Sequence, residues 1–178
     1  MRILLVLVAT LISLVSRADE AETIATFKQA TVTASYFSSA YGYAIFPTVG
    51  KGGFGLGGAY GEGTVYQAGK PLGKTSLTQI TFGFQLGGQA YSEIIFFKNK
   101  AAFDEFVSGS FEFGAQASAV AITIGANAHA GSMGNSASAG KTNATGHYVN
   151  GMAVFTIAKG GLMYEASIGG QTFSYEGF

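Results

Sequence analysis

The groups that could do chemistry in this chain are few: two histidines, ten carboxylates and no cysteine. His129 falls in phase with Asn127 and Thr123 on the polar face of an alternating segment, which reads as a solvated or hydrogen-bonded imidazole. Neither it nor His147 belongs to an H-x-x-x-H pair or a carboxylate-rich spacing that would hold a metal. No G-x-S-x-G elbow surrounds any serine. Glu62 sits among aromatic residues, where burial would raise its pKa, but it has no partner carboxylate for paired acid–base work. The expectation is a protein without catalytic residues, metal or cofactor, and not an enzyme.

Glycine supplies the remaining motifs. Gly53-Phe54-Gly55-Leu56-Gly57-Gly58 matches the dinucleotide fingerprint, which requires a helix whose N-terminus holds the pyrophosphate. The continuation Ala59-Tyr60-Gly61-Glu62-Gly63 cannot sustain one. Gly73-Lys74-Thr75 and Gly140-Lys141-Thr142 resemble the end of a P-loop, but the required first glycine falls on Ala68 and Asn135. What stands out instead is phase. From Gly53 to Gly63 every odd position is glycine except Ala59, while the even positions carry Phe54, Leu56, Gly58, Tyr60 and Glu62. In an extended strand this makes one bare face, which another backbone, a ring or a ligand can approach closely.

The first residues read as a removable leader. Met1-Arg2 is a positive start, Ile3 to Val15 is apolar, and Ser16-Arg17-Ala18 supplies a cleavage site after Ala18. The expectation is therefore a signal peptide over 1–18 and a single domain over 19–178, exported to the periplasm or secreted, peripheral to a membrane. Removing the leader takes both arginines and leaves eight lysines against ten acidic residues, a net charge of −2. A domain without arginine and without clustered positive charge is a poor nucleic-acid binder. The absence of cysteine excludes disulfides, thiolate metal sites and a lipid-bearing cysteine.

Periodicity places the elements. Ile24, Phe27, Ala34, Phe37 and Tyr41 recur at helical multiples between residues 22 and 41 and predict an amphipathic helix covering the sheet, though Thr31, Val32 and Thr33 disfavour it. Tyr43 to Phe46 reads as an edge strand ended by Pro47, Gly50 to Gly53 as a turn, and Ala68 to Gly73 as another. Ile80, Phe82, Phe84 and Leu86 alternate with Gln79, Thr81, Gly83 and Gln85, which predicts an apolar-in, polar-out strand. Ile94 to Phe97 is apolar on both faces, and a short helix capped by Asn99 and stopped by Gly109 follows. The alanine phase slips at 121/122 as at a bulge, residues 126–146 are a Gly/Ala/Ser-rich loop, and closing strands fall at 152–158, 162–168 and 171–175. The fold class is α+β and predominantly antiparallel β. It is expected as a strongly curved sheet or partly closed barrel of about 7–9 strands, with an N-terminal helix and one short internal helix.

The run from Gly42 to Gly63, with its Ile45-Phe46-Pro47, Lys51 and Gly53-Phe54-Gly55-Leu56-Gly57-Gly58, resembles the SYLF domain family. Phe82-Gly83-Phe84-Gln85-Leu86-Gly87-Gly88-Gln89 and Ile94-Ile95-Phe96-Phe97 ahead of a helix fit the same order, so the resemblance spans residues 22 to 175. It implies phospholipid binding, with actin binding in some relatives; actin is implausible for an exported chain. On that reading Phe54 and Tyr60 supply apolar contact, and Lys51, Lys70 and Lys74 on adjacent turns meet anionic headgroups. The alternatives are a structural or protein-interaction module of the cell envelope, with a protein partner instead of lipid, or a small outer-membrane β-barrel.

Overall fold

The structure, a computed structural model, describes residues 18–83, 88–113, 122–124, 148–159 and 170–178, with backbone alone at 54–56, 81–83 and 122–124. The leader, the 126–146 segment, the expected strand at 162–168 and both histidines lie outside these residues. Residues 18–29 form helix α1, followed by two single turns, α2 (Thr31–Ala34) and α3 (Tyr36–Ser39). The strands are β1 (Gly42–Gln67), β2 (Lys70–Gly83), β3 (Gly88–Phe97), β4 (Ile122–Ile124), β5 (Met152–Lys159) and β6 (Gln171–Gly177), with α4 (Lys100–Phe106) after β3. They make one sheet in the order β4-β5-β3-β1-β2-β6, antiparallel except for the parallel pair β4–β5.

The expected single N-terminal helix is broken by its β-branched residues. Ala30 is extended at φ −73° and ψ 120°, and the buried Thr33 hydroxyl donates to the carbonyls of Phe27 and Ala30. A side chain that bonds nearby backbone in this way offers the chain an alternative to continuing the helix. The broken helix still covers the sheet as anticipated: Phe27, Ala30 and Tyr36 pack on Ile45, Ile94, Phe96, Phe155 and Ile157. The internal helix forms as read, with Asn99 Oδ1 accepting from the Ala102 amide at 3.0 Å and Gly109 at φ +83° beyond its end.

Pro47 does not end an edge strand, and no turn interrupts residues 50–53. β1 runs 26 residues through both, lying between β3 and β2. The proline sits in the irregularity between Phe46 and Val49, where a missing amide costs no ladder bond. Its carbonyl accepts from Ser92 Oγ at 2.7 Å. The first half of β1 pairs with β3 (Gly42↔Phe97 to Gly52↔Gly88), and the second half pairs with β2 (Gly55↔Gly83 to Gln67↔Lys70). The hairpin between β1 and β2 closes in two residues, Ala68 and Gly69, both at positive φ, a tighter turn than the 68–73 loop expected.

At Gly61 and Gly63 the bare glycine face is occupied by the same strand. A side chain starting at Gly63 would meet the Ile45 carbonyl oxygen at 2.4 Å and the Phe46 ring at 2.8 Å; one at Gly61 would meet Val49 Cγ2 at 2.8 Å and the Thr48 carbonyl at 3.0 Å. The two halves of β1 therefore approach as only glycine permits, and the even positions Gly58, Tyr60 and Glu62 face outward.

The sheet is not the barrel expected, nor strongly curled. β4 and β6 are its edges and no ladder joins them among the described residues. The β6 edge is met instead by residues 111–113, with Phe113 N donating to Gln171 O and Phe173 N to Phe111 O, both at 2.9 Å. Its inner face holds Phe46, Val65, Leu77, Phe97, Val154 and Phe173 against Phe103 and Phe106 of α4. Filling a well-packed contact of this kind with one methyl costs about 1–3 kcal/mol. Gly63→Ala is expected to lower the urea-unfolding free energy by that amount. Gly50→Ala, where no atom lies within 4 Å, is expected to leave it unchanged or slightly higher. Equal losses at both positions would refute the close approach.

Candidate functional site

Covering is uneven across the sheet, and that decides what is available to a ligand. The outer face of β3, β5 and the first half of β1 lies beneath α1 to α3. The outer face of β2 and β6, with the adjoining part of β1, is open. Helix α1 reaches only the end of that second half, where Glu20 accepts from the Tyr66 hydroxyl and, at 2.8 Å, from the Thr64 hydroxyl. Its Asp19 is held by Lys159 of β5 at 2.7 Å and by the Thr48 hydroxyl of β1 at 3.1 Å.

Along β2 the inward positions are Gly73, Thr75, Leu77 and Gln79, and the outward ones are Lys74, Thr78 and Ile80. This inverts the expected phase: Gln79 is buried and Ile80 is 66% exposed. The reason is the hairpin register. Gln79 stands opposite Gln171 of β6 on the inner face, so the apolar neighbour must point out. Tyr60, 54% exposed, lies on the same outer face one strand away; Gly58 is the register partner of Ile80, and Thr78 that of Tyr60. The Tyr60 hydroxyl donates to Glu62 Oε1 at 3.0 Å, and this exposed bond raises the phenol pKa. Glu62 is thus a surface carboxylate, not the buried one its aromatic neighbours suggested.

The expected headgroup lysines do not form one cluster. Lys70 stands opposite Gln67 at the hairpin, and Lys74 lies between Thr64 of β1 and Glu176 of β6. Lys51 is half-buried opposite Gln89, toward the other end of β1. Of Phe54 only the backbone is described.

Among the described residues the one strongly perturbed carboxyl is elsewhere and was not singled out from sequence. Glu93 of β3 is fully buried on the inner face, where burial pushes its carboxyl pKa up to about 8. Gln171 Nε2 donates to its Oε2 at 3.0 Å and to the Tyr91 hydroxyl at 3.3 Å, joining β6 to β3 on the inner face. Burial likewise raises the Tyr91 phenol. Glu93 Oε1 and Gln171 Oε1 are both buried with no hydrogen-bond partner among the described residues. An ionised carboxylate there would leave a charge without compensation; a protonated one supplies a donor among acceptors. The available signal was position: Glu93 directly precedes the doubly apolar run Ile94 to Phe97, where no solvent-facing side exists.

Among the described residues no group of three or more His, Asp or Glu side chains could hold a metal, and no helix is long and apolar enough to cross a membrane.

Comparison with known proteins places this arrangement in a family. The family model described as "Ysc84: Las17-binding protein actin regulator" matches residues 78–176, more than half of the chain. The chain belongs to this family, the SYLF-domain family that its sequence resembles. It is also similar to Beta cell expansion factor A of Aeromonas veronii, 30% identical over 143 residues, which are 77% of this chain and 46% of that protein. The chain thus spans about half the length of that curated relative.

Glu93 sets a pH dependence. Its ordinary carboxyl value is 4.5 and its folded value about 8, so the stability that depends on the neutral form is complete below the first and is lost as pH rises toward the second. Urea-unfolding free energy is expected to fall by on the order of a few kcal/mol between about pH 5 and about pH 9. Glu93→Gln should flatten that slope, and an unchanged slope in this variant would contradict a buried neutral acid.

Proposed function

We propose that this SYLF-family chain is an exported, non-enzymatic protein that binds a phospholipid membrane surface peripherally. Family membership supports a lipid-binding type of domain. The observation that carries the reading is the pairing of exposed apolar groups, Tyr60 and Ile80, on the half of the sheet that no helix covers among the described residues. Lys70 and Lys74 flank that face at its hairpin end and add attraction to anionic headgroups. Lys51, further along β1, is assigned a lesser part, and Phe54 continues the same strand toward the bend. Export rests on the apolar leader before Ala18, ahead of a helix whose Asp19 and Glu20 are tied to the sheet.

Each lysine near an anionic surface contributes about 1 kcal/mol, so the Lys70/Lys74 pair is worth at most about 2 kcal/mol, or roughly thirtyfold in affinity. Glu176 opposite Lys74 reduces this. Co-sedimentation with phosphatidylcholine vesicles, with and without phosphatidylglycerol, is the test. Ile80→Ser should weaken binding to both vesicle types while changing stability by less than about 0.5 kcal/mol. Lys70→Ala with Lys74→Ala should weaken only the anionic arm. A parent protein that sediments with neither vesicle overturns the proposal.

A further inference from the structure

The open face has a chemical character beyond its two apolar groups. Across three strands the register lines up Tyr60, Thr78 and Thr172 in one row, and Glu62, Ser76 and Ser174 in the next. Tyr60, Glu62, Thr78, Thr172 and Ser174 are exposed and Ser76 is half-buried. Strand spacing and rise make this grid about 10 Å by about 7 Å. Its hydroxyls are held in place: Ser76 Oγ and Ser174 Oγ share a hydrogen bond of 2.7 Å, and Thr172 Oγ1 donates to the Thr78 carbonyl at 3.4 Å. The Tyr60 ring is pinned through its hydroxyl to Glu62, and no other ring contacts it among the described residues.

The charges around the grid disfavour a phosphate. Glu62 lies within it, Glu176 and Glu112 lie on its border, Glu112 opposite Thr172, and the one adjoining cation among the described residues, Lys74, stands directly opposite Glu176. An anionic headgroup would face three carboxylates and one lysine that already has a carboxylate beside it. An uncharged polyol meets no such repulsion. Its hydroxyls donate to the Glu62 carboxylate and exchange hydrogen bonds with serine and threonine, which both donate and accept. The C–H face of a sugar ring can lie on the exposed Tyr60 ring.

We infer that the headgroup taken by this face is an uncharged sugar, so that the outer surface of β1, β2 and β6 docks on a glycolipid-bearing membrane. This rests on the membrane-surface reading: Lys70 and Lys74 at the hairpin end meet the surrounding bilayer, and the grid itself takes a neutral headgroup in place of a phosphate. Ile80, beside the grid, lies on the side available to the acyl region below a sugar headgroup.

The test compares three vesicles, phosphatidylcholine alone, with digalactosyl diglyceride, and with phosphatidylglycerol, in flotation assays of the full chain. Galactolipid is expected to raise binding over phosphatidylcholine about tenfold, and Tyr60→Ala and Thr78→Val are each expected to remove most of that gain. Both positions are exposed, so unchanged melting temperatures identify the losses as losses of contact. Enhancement by phosphatidylglycerol without enhancement by galactolipid overturns the sugar assignment and leaves the membrane reading standing. Binding to none of the three overturns both. A galactolipid gain that survives both substitutions overturns the placement on this face.

Discussion

The carbonyl oxygen of Ile45 occupies the space where a side chain at Gly63 would begin, and Val49 does the same at Gly61. Much else follows from that contact. β1 is the strand that belongs to both halves of the sheet, pairing with β3 before its bend and with β2 after it. The distance at which its two halves meet therefore fixes how those halves sit against each other. It brings Tyr43 and Tyr66 into a stacked pair, with centroids 5.0 Å apart and planes 13° from parallel. It also sets the phase of the second half. With glycine inward at 61 and 63, Tyr60 and Glu62 have only the outer face to occupy.

Helical covering then divides the molecule energetically. Tyr36 sits against Phe96 and Phe155 at 5.2 Å and 5.1 Å, and Phe37 against Phe96 at 5.0 Å. Burying an aromatic or large aliphatic side chain contributes about 1.5–3 kcal/mol. An exposed ion pair contributes about 0–1 kcal/mol. The helices are thus seated by their rings on β3 and β5, and the Asp19–Lys159 pair orients the start of α1 more than it holds it. Among the described residues nothing comparable covers the outer face of β2 or β6.

Local patterns were the most legible part of the sequence. Asn99 and Gly109 bound α4 because capping is decided by a few neighbouring residues. The glycine phase foretold a close approach because the bare face extends over five glycines, although only three-dimensional folding could show that the partner was the same strand. Two readings failed where tertiary context outweighed pattern. The alternation at Gln79 and Ile80 was recognised, but its direction was inverted, since buried Gln79 faces Gln171 on the inner side. Thr31 to Thr33 broke the helix because the Thr33 hydroxyl bonds backbone carbonyls. Of the candidate site, Tyr60, Lys70 and Lys74 were legible as exposed groups. Glu93 was not, because a carboxylate beside an apolar run is informative only once both faces of that run are known to be covered.

The hydrogen-bond partner of the buried acid, Gln171, belongs to β6, one of the strands of the open face. Gln79 and Gln171 point inward next to Thr78 and Thr172, which point outward. The electrostatics of the buried acid and the open face are therefore linked. A carboxylate inside the sheet would act on the outer face through a medium that screens poorly, unlike water. Burial raises the Glu93 pKa and favours its neutral form at neutral pH, which reduces the charge inside the sheet. Among the described residues the charges at the open face are then Glu62, Glu112, Glu176 and Lys74, with Lys70 at the hairpin. Burial of this acid, by favouring its neutral form, thus limits the electrostatic influence of the interior on the open face at neutral pH.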